Sequence, residues 1–338
     1  MMKTWLEKVV EGENLTSDEA ASALDVIMRG SCTHAQIAGL LIGLRSKGET
    51  VEELVGFART MRQHSVRVTV EDPNAIDLCG TGGDGQGTFN ISTVASIVAA
   101  GAGATVAKHG NKSVSSKSGS ADILSALGVN IQLPAEKVES CINTVGMGFL
   151  FAPLFHPAMK HAATARTELG VRTIFNMLGP LTNPAGVRKQ LVGTFRADAA
   201  PRIAGALSQL ATGKSCVVHS DDGMDEVSVS GATRVYEVAE GSDVRSYRIT
   251  PGDFNMPTHR AGAVGGGTPE ENAAFARRVL AGEEGPLRDV VIANAAVGLY
   301  VAGKGKSLAE GSAMAAESID SGRAADVLAR LVEFTRRS

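Results

Sequence analysis

Ala75-Ile76-Asp77-Leu78-Cys79-Gly80-Thr81-Gly82-Gly83-Asp84-Gly85-Gln86-Gly87-Thr88-Phe89-Asn90-Ile91-Ser92-Thr93 is entered from a short apolar run and left by an alanine-rich one. That order predicts a strand over 76–78, a glycine loop, and a helix over 91–102. Glycines let a backbone turn tightly and bring its N–H groups near a ligand. The helix start adds unpaired donors and partial positive charge, and Asn90, Ser92 and Thr93 carry side-chain oxygens that cap it or hold a ligand. The parts make an anion site, with an ordinary glycine-rich turn as the alternative. Gly80, Gly82 and Gly85 match G-x-G-x-x-G, but no acidic residue lies between Asp84 and Asp122 to meet a ribose, so a dinucleotide site is disfavoured. No Gly-Lys-Ser/Thr follows, which excludes a Walker-type phosphate loop.

The 338 residues suggest two domains or one large one, at roughly 150 residues per domain. Apolar residues make up 43% and aromatic ones only 4%, which favours close helix–sheet packing over an all-β fold. The net charge of −3, with dispersed basic residues, gives no reason to expect nucleic-acid or membrane binding. Cys32, Cys79, Cys141 and Cys216 are scattered and suit neither a zinc site nor a disulfide frame. With no signal-peptide pattern and no apolar stretch long enough to span a bilayer, a cytoplasmic protein is expected.

Upstream, the first seventy residues read as helices. Thr16, Thr33 and Thr50 each precede Glu or Gln by three positions, the capping-box spacing. Apolar residues at helical spacing follow each, and Gly30 and Gly48 stand where C-terminal caps belong. His34 and His64 read as surface or capping residues. Residues 71–74 are a turn-rich boundary, after which strands and helices alternate, as in a parallel-leaning α/β sheet.

Downstream, residues 108–122 follow a strand over 104–108. They carry Lys108, Lys112, Lys117 and several hydroxyls, with no acid before Asp122. This donor-rich loop suits polyphosphate, with a solvated basic loop as the alternative. Ser118 or Ser120 is expected to cap a helix over 121–127. Residues 149–160 give an apolar wall and a helix carrying Met159 and Arg166. Arg166 is chemically able to pair with a carboxylate, although a helical arginine is ordinarily a surface residue. His156 is open between ligand contact and turn residue. Asp221, Asp222, Asp225 and Glu226 crowd a loop after a strand over 215–219. These hard oxygen donors suit Mg²⁺, and on their own they equally suit a solvated acidic turn. A hairpin is expected over 235–249 and helices from 269 onward.

Gly80-Thr81-Gly82-Gly83-Asp84, Asn90-Ile91-Ser92-Thr93, Lys108-His109-Gly110-Asn111, Phe151-Ala152-Pro153, His156-Pro157-Ala158-Met159-Lys160, Leu169-Gly170-Val171-Arg172-Thr173 and Leu178-Gly179-Pro180-Leu181-Thr182-Asn183-Pro184 occur in this order. In these motifs the sequence resembles the anthranilate phosphoribosyltransferases over essentially the whole chain. The resemblance implies an α/β fold of the nucleoside phosphorylase/phosphoribosyltransferase type. A small all-helical N-terminal domain, 1–71, is completed by helices within 158–184. A larger α/β domain, 72–338, has a central, mostly parallel sheet. A homodimer through the helical domains is implied.

The implied activity is transfer of the phosphoribosyl group from phosphoribosyl pyrophosphate to the amine of anthranilate, in tryptophan biosynthesis. By resemblance, Gly80, Gly83, Asp84, Thr88, Asn90, Ser92, Thr93, Lys108 and Ser120 contact phosphoribosyl pyrophosphate. Asn111 and Arg166 contact anthranilate, and Ser92, Asp225 and Glu226 hold Mg²⁺. No catalytic acid or base is required. Two rivals differ in what they need. A pyrimidine nucleoside phosphorylase on the same fold would use inorganic phosphate and no metal, which the acidic pair and the Leu178–Pro184 context disfavour. A relative that binds nucleic acid would need a basic face.

Overall fold

The computed structural model describes residues 1–113 and 117–337; Val114, Ser115 and Ser116 of the donor-rich loop lie outside the described residues. The chain opens with α1 (Met2–Val10), α2 (Ser17–Met28), α3 (His34–Lys47) and α4 (Val51–Gln63). The expected boxes start the last three: Thr16, Thr33 and Thr50 accept from the N–H three residues on, and Glu19, Gln36 and Glu53 reach back. Glu53 does more. Fully buried, it accepts from the Leu15 N–H at 2.9 Å and pairs with Lys47 at 2.8 Å, joining three helices' ends. His64 caps α4 and meets Asp25 at 2.8 Å.

The α/β part runs β1 (Ile76–Gly80), α5 (Ile91–Gly101), β2 (Val106–Gly110), α6 (Ser120–Leu127), α7 (Ala135–Val145) and β3 (Met147–Phe151). Two short helices and a longer one follow: α8 (Ala152–Phe155), α9 (Lys160–Leu169) and α10 (Phe175–Leu178). Next come β4 (Lys189–Gly193), α11 (Ala199–Gln209), β5 (Lys214–Ser220), β6 (Thr233–Ala239) and β7 (Arg245–Ile249). The chain closes with α12 (Pro269–Leu280), α13 (Pro286–Ala302), α14 (Leu308–Asp320) and α15 (Arg323–Arg337).

The strands form one sheet in the order β3-β2-β1-β4-β5-β6-β7. Pairings from β3 to β5 are parallel, and β5–β6 and β6–β7 are antiparallel, so the expected hairpin is present. Alternation along the strands sorts side chains to two faces. Leu78, Leu191, Cys216 and Val218 pack with α5 and α13. Cys79, Val192, Val217 and Val238 pack with α11, α10 and residues of α2–α4. Residues Ala162 and Ala165 of α9 share that second cluster. Parallel strands covered on both faces need crossover helices, which is the reason for the βα alternation in the sequence. The order reverses at β1, with β2 on one side and β4 on the other, and such a switch point opens a crevice at the strands' carboxyl ends.

One cap is corrected. Gly119, not Ser118 or Ser120, is the N-cap residue of α6, which begins at Ser120. The Asp122 carboxylate accepts from the Gly119 N–H at 2.8 Å and the Ser113 N–H at 3.0 Å. A charged acceptor outcompetes a hydroxyl here, and a Cβ at 119 would press on the backbone of residues 111–113.

The helical bundle depends on one close crossing. A Cβ on Gly56 of α4 would overlap the Ser17 carbonyl oxygen and lie 2.8 Å from the Ala20 Cβ of α2. Gly56→Ala is expected to lower stability by about 2 kcal/mol through overpacking, read as a lower urea midpoint with an unchanged slope.

Candidate active site

The crevice at the switch point is floored by the ends of β1 and β4, which stop in register at Gly80 and Gly193. Both are glycine for want of space. A Cβ on either would overlap atoms of Asp225, from the loop between β5 and β6. That loop is pinned just beyond the acidic pair, where Asn294 of α13 bonds both the N–H and the carbonyl of Val227, at 2.9 and 3.0 Å. The expected four carboxylates divide. Asp221 pairs with Arg248 and Asp222 accepts from the Ser220 hydroxyl at 2.6 Å, so both serve the loop itself. Only Asp225 and Glu226 turn to the glycine loop and the α5 start.

Asp225 accepts from the Gly82 N–H at 2.7 Å, and Thr81 N–H donates to the Gly193 carbonyl at 2.9 Å. Gly82, Gly83, Gly85 and Gly87 all have positive φ, which only glycine adopts without strain. The N–H groups of Gly83, Asp84 and Gly85 donate to no acceptor among the described residues. Successive unpaired N–H groups of this kind make an anion cradle. The α5 start is less open than its sequence suggests. Glu226 accepts from the Ser92 N–H at 3.2 Å, so the protein's own carboxylate engages the helix terminus.

Burial governs the charges. Asp225 and Glu226 are each 8% exposed. Desolvation raises both carboxyls, with Asp84 adding to the effect at Asp225 and Asp225 adding to it at Glu226. Asp84 Oδ2 is buried without a hydrogen-bond partner among the described residues. Three acids in so small a region are electrostatically strained and invite a cation. No three such side chains among the described residues close a cage by themselves. That fits Mg²⁺, which keeps several waters and binds through one or two carboxylates plus phosphate.

Lys108 departs from expectation. It lies in β2, as the expected strand over 104–108 allows, but its side chain is 1% exposed and donates through Nζ to the Leu78 carbonyl rather than standing free in the loop. Its charge nonetheless favours ionised Glu226 and Asp77. Asn90 is the N-cap residue of α5, but its side chain makes no capping bond. Its amide donates to the Ser118 carbonyl at 3.0 Å, and its oxygen accepts from Ser118 Oγ at 2.9 Å and Asn272 at 2.8 Å. Thr88 bridges to Gly265, which brings residues 264–267 over the loop, and Thr93 is buried at the helix start. Ser120 Oγ donates to the Asn111 carbonyl at 3.2 Å, holding together the two ends of the donor-rich loop. Asn111 itself is exposed.

Arg166 of α9 lies over the Phe175 ring at 5.0 Å, with no acid or hydrogen-bond acceptor among the described residues. Burial pulls its guanidinium below the usual range. A desolvated guanidinium resting on an aromatic face is suited to a planar carboxylate.

The family models for the helical bundle domain and the a/b domain of the glycosyl transferase family match residues 3–65 and 72–325. The chain is 51% identical to anthranilate phosphoribosyltransferase of Moorella thermoacetica, over 99% of this chain and 98% of that one. The chain belongs to the anthranilate phosphoribosyltransferase family. The crystal structure of the Thermus thermophilus family member superposes with a TM-score of 0.93 at 45% identity, covering 98% of this chain and 99% of that one. The Saccharomyces cerevisiae enzyme, solved in complex with phosphoribosyl pyrophosphate and Mg, gives 0.91 at 30% identity, covering 100% and 98%.

Arg172, His109 and the glycines at 265–267 carry no role in the sequence reading, which leaves His156 open between ligand contact and turn residue. Arg172 was visible inside Leu-Gly-Val-Arg-Thr, but nothing local ties it to the glycine loop. Gly265-Gly266-Gly267 was the readable signal of a close approach, because a Cβ on Gly266 would meet the Thr88–Phe89 backbone at 2.6 Å. His109 and His156 face each other with ring centroids 5.1 Å apart, and both Nε2 atoms are buried without partners among the described residues. Burial lowers His109 to about 3 and His156 to about 4. Both rings are therefore neutral near pH 7. Their contribution to stability is whole above the ordinary 6.5 and is lost as the pH falls below it. Both ring resonances are expected to stay flat in NMR titration between about pH 5 and 8. A ring titrating near 6.5 would contradict this geometry.

Proposed function

We propose that this crevice transfers the phosphoribosyl group of phosphoribosyl pyrophosphate to the amine of anthranilate, giving N-(5-phosphoribosyl)anthranilate and pyrophosphate, as in tryptophan biosynthesis. One observation carries the reading: a cradle of unpaired N–H groups at Gly83–Gly85 stands beside a buried acidic pair at the switch point. Pyrophosphate needs the donors, and the metal that accompanies it needs the acids.

In this reading the anion lies along Gly80, Gly83, Asp84 and Thr88, with Asn90, Ser92, Thr93, Lys108 and Ser120 around it. Asp225 and Glu226, with Ser92 beside them, would hold Mg²⁺, which when bound neutralises negative charge on the departing diphosphate. An aryl amine is already neutral at pH 7, so no side chain need remove a proton before attack. The chain's task is to stabilise the leaving group with fixed dipoles and to hold the amine in line. Arg166, with Asn111, would fix anthranilate through its carboxylate. The neutral histidine pair would supply a wall that does not repel the amine.

We also place the boundary of the helical domain at residue 71 and complete it with helices within 158–184, since Ala162, Ala165 and Met177 share its apolar cluster. We take the family resemblance to imply a homodimer through that domain. No described helix is long and apolar enough to cross a membrane, and we assign the protein to the cytoplasm.

Anthranilate fluorescence is expected to decay only when protein, phosphoribosyl pyrophosphate and Mg²⁺ are all present; decay without the sugar donor would refute the reaction. Arg166→Ala should raise the KM for anthranilate about tenfold or more, the usual scale for a lost charge-assisted contact, with little change in the KM for phosphoribosyl pyrophosphate. Asp225→Asn combined with Glu226→Gln should move half-saturation to much higher Mg²⁺. Wild-type turnover at low Mg²⁺ in that double variant would place the metal elsewhere.

A further inference from the structure

Arg172 follows α9 by three residues and is half-buried. Its guanidinium lies 4.3 Å from the Phe195 ring centre and donates through Nη2 to the Gly83 carbonyl. It forms no ion pair with any acid among the described residues. A Cβ on Gly83 would sit 2.8 Å from the same nitrogen, so the two residues are built for each other.

The contact has a directional consequence. The Gly83 carbonyl and the Asp84 N–H belong to one trans peptide and point to opposite sides. Fastening the carbonyl to Arg172 therefore aims the Asp84 N–H away from Arg172. Gly83, on the carbonyl side of this peptide, is in the left-handed region, and a peptide that follows glycine has more freedom to flip than one between two side-chain-bearing residues. Were this peptide to flip, a carbonyl oxygen would face the anion in place of a donor.

We propose that Arg172 is a positioning residue for the diphosphate cradle, acting by holding the Gly83 carbonyl turned outward while Phe195 holds its guanidinium flat. The segment that does this is continuous with the helix bearing Arg166, so the cradle is set from the anthranilate side of the crevice. The proposal rests on the reading that this loop binds diphosphate.

The test is calorimetric binding of inorganic pyrophosphate with Mg²⁺, together with steady-state kinetics, for wild type, Arg172→Ala, Arg172→Lys and Phe195→Leu. Binding by the wild type is the control for the functional reading, and its absence would count against that reading itself. Arg172→Ala is expected to weaken pyrophosphate and raise the KM for phosphoribosyl pyrophosphate about tenfold, the scale of one charged hydrogen bond. The KM for anthranilate and kcat should move much less. Arg172→Lys, which keeps a donor, should recover part of the loss, and Phe195→Leu should shift the same constants in the same direction by about threefold. Unchanged pyrophosphate affinity in Arg172→Ala overturns the proposal, as does an equal loss for both substrates. If Arg172→Ala does not fold, the same two outcomes are read on Phe195→Leu.

Discussion

Three backbone segments converge where no side chain fits. The ends of β1 and β4 meet the Asp225 loop so closely that Gly80 and Gly193 have no space for even a methyl group. Everything at the crevice follows from that approach. It puts the Asp225 carboxylate within reach of the Gly82 N–H, and it sets Glu226 against the start of α5. Both acids are buried, and Asp225 stays in contact with the loop through the Gly82 N–H. Desolvation then makes them poor anions on their own and good partners for a hydrated divalent ion.

The local features were legible in the sequence. Thr16, Thr33 and Thr50 announce helix starts because a hydroxyl three residues before a carboxylate or amide is a self-contained device. The strand–glycine–helix order at 75–93 specifies its own backbone path. The Asp225–Glu226 pair was readable as a candidate, and the family resemblance alone singled it out; the local residues do not choose it from four neighbouring acids. That choice depends on Arg248 and the Ser220 hydroxyl, which occupy Asp221 and Asp222. Lys108 shows the same limit. Its neighbours along the chain are loop-like and basic, yet its ammonium points into the sheet. Arg172, His109 and the glycine triplet at 265–267 act across 89, 47 and about 180 positions of sequence respectively, and no local pattern encodes such distances.

The electrostatic design sorts by depth. Lys108, bonded to the Leu78 carbonyl, biases Glu226 toward ionisation, while Asp84 keeps one buried oxygen without a partner among the described residues. The histidine pair is neutral and the Arg166 guanidinium is held against an aromatic ring. In the proposed reading, one end of the crevice would handle high charge density with dipoles and metal, and the other a single flat carboxylate with one delocalised cation.

The sheet face that carries Cys79, Val192 and Val217 shares a single apolar cluster with Leu24, Leu54 and Phe57 of the amino-terminal helices. The two family models divide the chain near residue 70, but its oil does not divide there. A fragment beginning at the boundary would present the apolar sides of α11 and α10, which cover that sheet face, to solvent and would precipitate or recruit a substitute cover. The amino-terminal segment is therefore inherited as the missing lid of the larger unit's own interior, and shuffling the two as separable cassettes would require rebuilding that face.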